Sequence, residues 1–226
     1  MILFKLATRS RPEKARKTID NIIMNCASQN YKILVSIDKD DITMQGFDHE
    51  HPNVFMVDGY SKNKIDAINR DMDLIEDWKI LINTSDDMLF IEKGFDRIIK
   101  QDFKKNYDQV LHYSDGFQKS NLMTMSIMGV DYYKRFNYIY HPDYKSLWCD
   151  MEATEVAWML GKYEYMGDLK QLFVHNHPAW GLAEFDAQYQ KTESQELNNH
   201  DRNIFNYRKS NNYFIPDHLI INPHKY

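Results

Sequence analysis

Two adjacent carboxylates follow a short apolar run in the stretch LINTSDDMLF, residues 81–90. Asp86 and Asp87 repel each other when both are ionised, so a site that keeps both charged needs a compensating cation. Mg²⁺ and Mn²⁺ prefer such oxygen ligands, and a magnesium-like ion commonly completes its coordination with substrate phosphate oxygens. The pair therefore predicts a divalent metal site that serves a nucleotide substrate.

The elements around this pair decide what it can do. Four apolar runs of strand length, at 2–8, 32–38, 53–58 and 78–83, alternate with helical patterns, one of them near 93–101. This alternation predicts an α/β fold with a mostly parallel, Rossmann-like central sheet flanked by helices. In such sheets the ligand binds outside the carboxyl ends of the strands.

Charged residues follow each predicted strand and are expected along one edge of the sheet. They are Arg9, Asp38, Asp58 and the Asp86/Asp87 pair. Aspartate is also a common turn former and helix cap, which explains any single one of them without a ligand. Their convergence is therefore the stronger argument for a site.

Capping patterns predict where helices begin. Ser10 and Glu13 have capping-box spacing, Ser61 precedes an amphipathic segment, and Thr192 with Gln195 repeats the capping-box spacing near the C-terminus. Each pattern predicts that its first residue is the N-cap.

Composition limits the class of protein. With 226 residues, 43% hydrophobic content and a net charge of -5, the chain is expected to form one globular domain without a polycationic nucleic-acid surface. Cys26 and Cys149 support neither a disulfide framework nor a cysteine-based zinc site. No stretch reaches the roughly 20 apolar residues that span a bilayer, and the opening run is too short for a signal peptide, so a cytoplasmic protein is expected. The absence of GxxxxGKS/T and GxGxxG motifs disfavours a P-loop NTPase and a dinucleotide dehydrogenase.

The order of these segments resembles that of the GT-A glycosyltransferases, especially the family 2-like nucleotide-sugar transferases. The matching segments are LATRSRPEKARKTI, ILVSIDKDD, SKNKIDAINRDM, ILINTSDDMLFIEKGF and CDMEATEVAWMLGK, over roughly residues 1–165. The family's aspartate-any-aspartate motif is matched by Ser85, Asp86 and Asp87, with serine in place of the first aspartate. The resemblance implies a GT-A fold.

The same resemblance implies one domain over 1–226. Its nucleotide-sugar-binding half would be about 1–115, and its acceptor-binding half, with a C-terminal lid or tail, about 116–226. The implied reaction moves a sugar from a nucleoside-diphosphate sugar, with UDP favoured, to an acceptor hydroxyl, with inversion. The implied cofactor is Mn²⁺ or Mg²⁺. A glycan is the favoured acceptor, and a lipid-linked sugar, a protein and a nucleic acid stay open as alternatives.

Individual residues take roles from this resemblance. Asp87 would bind the metal, and Asp86 would be a second ligand or accept a hydrogen bond from a sugar hydroxyl. The other implied donor-binding residues are Thr8, Arg9, Asp38, Lys64, Asn69 and Ser85. Arg9 and Lys64 would add positive charge near the phosphates, and solvated surface residues are the alternative for both.

A catalytic base is expected at the start of a helix predicted over 150–161. An inverting transferase needs a carboxylate to take the acceptor proton, and the resemblance implies Asp150 for this role, with Glu152 second. Asp150 as a simple helix N-cap is the competing interpretation. A helix N-terminus lowers a carboxylate pKa, whereas exclusion of water raises it. Trp148 would stack on an acceptor sugar or belong to the core.

His175 and His177 lie on one face of an extended segment in LFVHNHPAWG, residues 172–181. Some GT-A enzymes supply a C-terminal histidine to the metal, so the resemblance implies these two as ligands. Imidazole ligands favour Mn²⁺ over Mg²⁺. Structural histidines are the alternative, and a zinc hydrolase lacks its HExxH spacing here.

Two other functions stay open. A sugar nucleotidyltransferase of related fold is one, although its glycine-rich first loop is missing after LAT. A non-catalytic nucleotide- or sugar-binding module is the other, because Ser85 stands where an aspartate is expected. Arg202, Arg208 and Lys209 are candidates to reach phosphates from a C-terminal lid, and a solvated helix is the competing interpretation.

Overall fold

The computed structural model describes residues 1–182 and 184–225. Strands and helices alternate through the first hundred residues, as expected. The strands are β1 (Ile2–Thr8), β2 (Tyr31–Asp38), β3 (Val54–Gly59), β4 (Ile80–Thr84), β5 (Met88–Phe90), β6 (Val110–His112), β7 (Ser126–Gly129), β8 (Tyr163–Tyr165) and β9 (Phe173–His175). The helices are α1 (Pro12–Asn25), α2 (Lys64–Asn69), α3 (Phe95–Asp102), α4 (Val130–Tyr133), α5 (Cys149–Met159), α6 (Ala187–Thr192) and α7 (Gln195–Ser210).

A seven-stranded sheet with the order β3-β2-β1-β4-β7-β6-β8 forms the centre of the described chain. Strands β3, β2, β1 and β4 are parallel, whereas β7 is antiparallel to both of its neighbours. β8 is parallel to β6, and β5 pairs with β9 in a separate antiparallel ribbon. The prediction of a mostly parallel α/β sheet is confirmed, and the strand ends of its parallel half share one edge.

Both faces of the sheet are covered, because alternate side chains of β1 enter different cores. Phe4 and Leu6 pack with Ile19 of α1 and Phe95 of α3, while Leu3 packs on the opposite face, in the core that α2 and α5 complete. All five side chains are fully buried. Burial of such side chains stabilises a fold by about 1.5–3 kcal/mol each. This two-sided burial explains the near-continuous apolar runs that made the strands readable in the sequence.

The predicted bounds of the four strands, and of the helices near 93–101 and over 150–161, agree with the structure within two residues, whereas the helical pattern after Ser61 that the sequence extends to Ile75 ends at Asn69. The first strand has the expected bounds, and the fourth begins two residues later than predicted, at Ile80. The helix predicted near 93–101 is α3. Assignments at element ends commonly differ by this amount.

The capping predictions are wrong in position. Helix α1 has Arg11 as its N-cap, without a side-chain cap, because the Ser10 backbone N–H instead donates to the Asp41 carboxylate at 2.5 Å. Asn63, two residues after Ser61, caps α2. Ser194, two residues after Thr192, caps α7. The local spacing located the approximate helix starts but did not identify which of the neighbouring polar residues is the N-cap.

Cys26 and Cys149 are free thiols. Within residues 1–182 and 184–225, no helix is both long enough and apolar enough to cross a bilayer.

Candidate active site

A cavity of about 440 Å³ opens at the carboxyl ends of the parallel strands. The end of β9, the start of α5 and one side of α6 also contribute residues to the cavity lining. The predicted site residues that line it are Thr8, Arg9, Asp38, Lys64, Ser85, Asp86, Asp87, Asp150, His175 and His177. The fold thus brings together residues that lie up to 169 positions apart in the sequence.

Asp87 and His175 face each other across this cavity. The β5–β9 pairing places Met88 opposite His175, so the two side chains meet where the ribbon begins. The Asp87 Oδ2 atom lies 3.4 Å from His175 Nε2 and accepts a hydrogen bond from Tyr189 Oη at 2.5 Å. Ser85 Oγ donates to the other carboxylate oxygen. Burial would raise the pKa of Asp87, but His175, Ser85 and Tyr189 outweigh it and hold that pKa well below its usual range.

Asp86 has different partners from its neighbour. Thr8 Oγ1 donates to Asp86 Oδ2 at 2.8 Å, and Arg11 Nη1 donates to Oδ1 at 3.0 Å. Burial raises the pKa of Asp86, and Arg11 only partly offsets this effect. The two carboxylates are therefore compensated separately, since Asp86 faces an arginine and Asp87 faces a histidine.

His177 lines the cavity but is not a partner of Asp87. Its Nε2 atom lies 2.8 Å from Glu193 Oε1, and its Nδ1 atom accepts a hydrogen bond from the Ala179 N–H. The structure therefore does not aim His177 and His175 at one point, because both ring nitrogens of His177 have other partners. Among residues 1–182 and 184–225, no group of three or more His, Cys, Asp or Glu side chains is arranged to hold a metal.

Arg9 and Asp38 also line the cavity and form an ion pair with each other. Arg9 Nη1 donates to Asp38 Oδ2 and to Asp40 Oδ1, each at 2.8 Å. The Asp38 Oδ1 atom is buried and has no hydrogen-bond partner among the described residues, although Arg70 Nη2 lies 3.8 Å away. A buried acceptor without a partner is costly unless a ligand or water satisfies it. Asp58 is exposed and does not line the cavity, so this member of the expected strand-end set is absent from the site.

Asp150 enters the cavity from the first turn of α5. The preceding loop is held by the buried Asp201 carboxylate, which accepts hydrogen bonds from the backbone N–H groups of Lys145, Ser146 and Leu147 at 2.7–3.0 Å. Trp148, not Asp150, is the N-cap residue of α5.

Burial raises the pKa of Asp150, against opposing effects of the Met151 N–H, Lys64 and His175. Burial within the fold therefore outweighs these opposing effects on the pKa of Asp150. No described basic side chain forms an ion pair with Asp150. This carboxylate is thus left available to a ligand.

Three predicted site residues lie outside the cavity lining. Glu152 is buried against Arg208, with Nε to Oε2 at 2.8 Å, and also accepts a hydrogen bond from Tyr144 Oη. Asn69 anchors the backbone of Tyr140, where its side chain accepts and donates. Trp148 is the third of these residues.

Trp148 packs beside Phe205 and donates from Nε1 to Asn198 Oδ1 at 2.7 Å. The candidate lid cations are also absent from the cavity lining. Arg208 pairs with Glu152, Lys209 lies 3.2 Å from Glu155, and Arg202 donates to Asn199. These side chains link helices to one another or lie on the surface.

Sequence reasoning missed Arg11, Asp186 and Tyr189. Arg11 donates from Nη2 to Asp186 Oδ1 at 2.6 Å, and its guanidinium carbon lies 4.0 Å from the centre of the Tyr189 ring. These contacts join residues about 175 positions apart, so no local spacing signals them. The only available signal was the position of Arg11 directly after the first strand.

Known structures with similar folds include glycosyltransferases. A mannosyltransferase from Pyrobaculum calidifontis, in complex with GDP-Man and Mn²⁺, matches with a TM-score of 0.57 at 12% identity, over 74% of this chain and 54% of that one. TarS from S. aureus, in complex with UDP-GlcNAc, matches with a TM-score of 0.61 at 14% identity, over 76% of this chain and 57% of that one. The fold is GT-A. At such identities the likeness extends to the fold alone.

A synthase also has a similar fold. The chain 4-diphosphocytidyl-2C-methyl-D-erythritolsynthase from Anaerococcus prevotii DSM 20548 matches with a TM-score of 0.50 at 10% identity, over 79% of this chain and 92% of that one. This protein thus spans slightly more than half the length of the two glycosyltransferases but most of the synthase. No protein-family model and no curated protein matches the sequence.

Proposed function

We propose that this protein is a glycosyltransferase that moves a sugar from a nucleoside-diphosphate sugar to an acceptor hydroxyl. One observation carries the proposal: in a GT-A fold, a single cavity at the strand ends holds both the Asp87–His175 pair and the unpaired carboxylate of Asp150. The first pair suits the diphosphate end of a donor, and the second group suits an acceptor hydroxyl. UDP-sugar is the favoured donor, and TarS, one of the similar structures, binds UDP-GlcNAc.

The residues present fit a divalent ion of the Mn²⁺ or Mg²⁺ class. Asp87 Oδ2 and His175 Nε2 are close enough to share one ion, and phosphate oxygens and water would complete its coordination. A carboxylate with an imidazole favours Mn²⁺. When bound, the ion would stabilise the negative charge that develops on the departing diphosphate. Asp86 is committed to Thr8 and Arg11, so it supports the site rather than binding the ion.

Asp150 is proposed as the general base. Its carboxylate would take the proton of the acceptor hydroxyl as that oxygen forms a bond to the anomeric carbon. The bond between this carbon and the phosphate oxygen breaks on the opposite face, which inverts the configuration and releases a nucleoside diphosphate. Because burial raises the pKa of Asp150, its carboxylate is a stronger base than an exposed aspartate.

The nucleoside end of the donor is proposed to lie near Asp38. Its Oδ1 atom is buried and accepts no hydrogen bond from the described residues, with Arg70 Nη2 at 3.8 Å, so it suits a ribose hydroxyl or a base N–H. Arg9 fixes the other oxygen of Asp38 and is neutralised by Asp40. Arg9 therefore acts by orienting Asp38, and Lys64 contributes positive charge on the α5 side of the cavity.

Turnover of nucleotide sugars tests this proposal. The protein is incubated with a panel of UDP-, GDP- and CMP-sugars and Mn²⁺, and free nucleoside phosphate is measured with and without acceptor glycans. Release that requires both the metal and Asp150 supports the proposal. Binding of donors without release, under all acceptor conditions, would support the non-catalytic binding module instead.

A sugar nucleotidyltransferase is the second candidate, and the match over 92% of the synthase chain favours it. Such an enzyme joins a sugar phosphate to a nucleoside triphosphate and releases pyrophosphate. Pyrophosphate release from this pair of substrates, without nucleoside diphosphate release from nucleotide sugars, would select it.

A further inference from the structure

Arg11, the N-cap of α1, lines the cavity, and Lys14 lies in the first turn of the same helix; both contact Asp186 at the start of α6. Arg11 Nη2 donates to Asp186 Oδ1 at 2.6 Å, and Lys14 Nζ donates to Asp186 Oδ2 at 2.9 Å. The Asp186 carboxylate therefore forms ion pairs with two cationic side chains at once. Because Asp186 is the N-cap residue of α6, the contact depends on where this short helix lies.

Arg11 retains a donor that nothing in the described chain uses. Its side chain is only 10% exposed, and its Nε atom is buried without a hydrogen-bond partner among the described residues. Buried donors are normally satisfied, so such an atom beside a cavity indicates a missing ligand or water. Asp86 accepts from Nη1, which does not contact Asp186, and the Tyr189 ring lies 4.0 Å from the guanidinium carbon. The group is thus oriented without Asp186.

Helix α6 and its end cover other groups of the same cavity. Tyr189 Oη donates to Asp87 Oδ2, and Glu193 Oε1 lies 2.8 Å from His177 Nε2. The Asp186 carboxylate is about one-third exposed, so its pairing with Arg11 and Lys14 is partly screened by solvent. A diphosphate offers more charge and more acceptor oxygens than one carboxylate.

We propose that Arg11 and Lys14 form a phosphate-binding subsite and that Asp186 is its internal occupant until a diphosphate displaces it. The inference rests on the proposed function for the identity of the ligand as a nucleoside diphosphate, but the subsite itself depends only on these three side chains. Displacement of Asp186 would leave Arg11 held by Asp86 and stacked on Tyr189, so the guanidinium would keep its orientation.

Inorganic pyrophosphate in the presence of EDTA tests the subsite without a metal. Asp186→Asn keeps the helix cap, because an asparagine oxygen can accept from the N–H groups of Gln188 and Tyr189, but it removes the competing charge. We expect this variant to bind pyrophosphate roughly three- to tenfold more tightly by calorimetry than the unmodified protein, as the loss of a partly exposed ion pair predicts. Glu184→Gln is the matched control, since it makes the same charge change at an exposed position two residues away.

Removal of the cations tests the same idea from the other side. Lys14→Gln changes a partly exposed side chain and should weaken pyrophosphate binding by about tenfold in the Asp186→Asn background. Arg11→Gln should weaken it further, and a thermal melt checks that this variant is folded. Equal pyrophosphate affinity in Asp186→Asn and Glu184→Gln, or unchanged affinity after Lys14→Gln, would overturn the subsite.

The two proposals fail differently. Pyrophosphate affinities that follow the expected order, in a protein that releases no nucleoside diphosphate from any nucleotide sugar, would retain the subsite and remove the proposed reaction. Normal metal-dependent turnover with unaltered pyrophosphate affinities would do the reverse.

Discussion

Asp150 and Glu152 are two residues apart on the first turn of α5 yet have opposite surroundings. Glu152 is buried at the interface with α7, where Arg208 neutralises it and Tyr144 donates to it. Asp150 faces the strand-end cavity and has no described cationic partner. The fold thus neutralises Glu152 with an ion pair and leaves Asp150 without one among the described residues.

The same contrast separates two larger regions. Near the α5–α7 interface, the Glu155 carboxylate lies within ion-pair distance of Lys209 and His224 and accepts a hydrogen bond from Tyr213 Oη. The acids of this region therefore have their polar partners within the fold. In the cavity, Asp87 and Asp38 retain surfaces that a ligand can use. A buried ion pair that loses one member leaves an uncompensated charge, which is strongly destabilising.

The largest effect is expected from Asp150→Asn. If this residue is the base, turnover should fall by about 10²–10⁴-fold with little change in melting temperature or donor affinity. Nucleoside diphosphate release and thermal melts measure both. Glu152→Gln is the paired variant: it should lower the melting temperature while the folded fraction keeps its turnover. Normal turnover in Asp150→Asn together with lost turnover in Glu152→Gln would contradict this assignment.

The second effect concerns the stability of the interface. Arg208→Ala should lower the free energy of unfolding by about 3–5 kcal/mol, because it leaves the Glu152 carboxylate buried and unpaired. The double variant Glu152→Gln with Arg208→Met should recover most of this loss, since it removes both charges. Urea denaturation measures all three proteins. A loss below about 1 kcal/mol in Arg208→Ala would show that Glu152 is not held as a buried ion pair.

The third prediction concerns a buried lysine of the central sheet. Lys5 is fully buried in β1, donates to Ser36 Oγ and to the Arg70 carbonyl, and has its pKa lowered to about 7, chiefly by burial and only partly offset by Asp71. Between about pH 7 and pH 10 the unfolded chain keeps a proton that the folded chain loses, so stability should rise with pH in this window and not below it.

The matched variant for this prediction is Lys5→Met. From pH 7.5 to pH 8.5, the unfolding free energy of the unmodified protein should increase relative to the variant by roughly 1 kcal/mol. Urea denaturation at both pH values measures the difference, in which other titrating groups cancel. A difference that does not change with pH would mean that Lys5 stays protonated in the fold.

The sequence predicted the parallel half of the sheet well, because its strands are buried on both faces and appear as unbroken apolar runs. It also predicted that strand-end residues such as Asp38 and Asp87 meet in one cavity. The resemblance ranked Asp150 ahead of Glu152, but the sequence could not show that Arg208 on α7 neutralises Glu152, because that partner comes from another element. Arg11 and Asp186 were missed for the same reason, because their pairing depends on tertiary structure alone.

The central claim is that Asp87 and His175 hold a divalent ion together with a diphosphate. Titration of Mn²⁺ into the protein with UDP, followed by the electron paramagnetic resonance signal of the free ion, tests it directly. We expect the unmodified protein to take up Mn²⁺ with UDP, and Asp87→Asn, checked for folding by a thermal melt, to bind it more than about tenfold less tightly. Equal Mn²⁺ uptake by Asp87→Asn and the unmodified protein would contradict the claim.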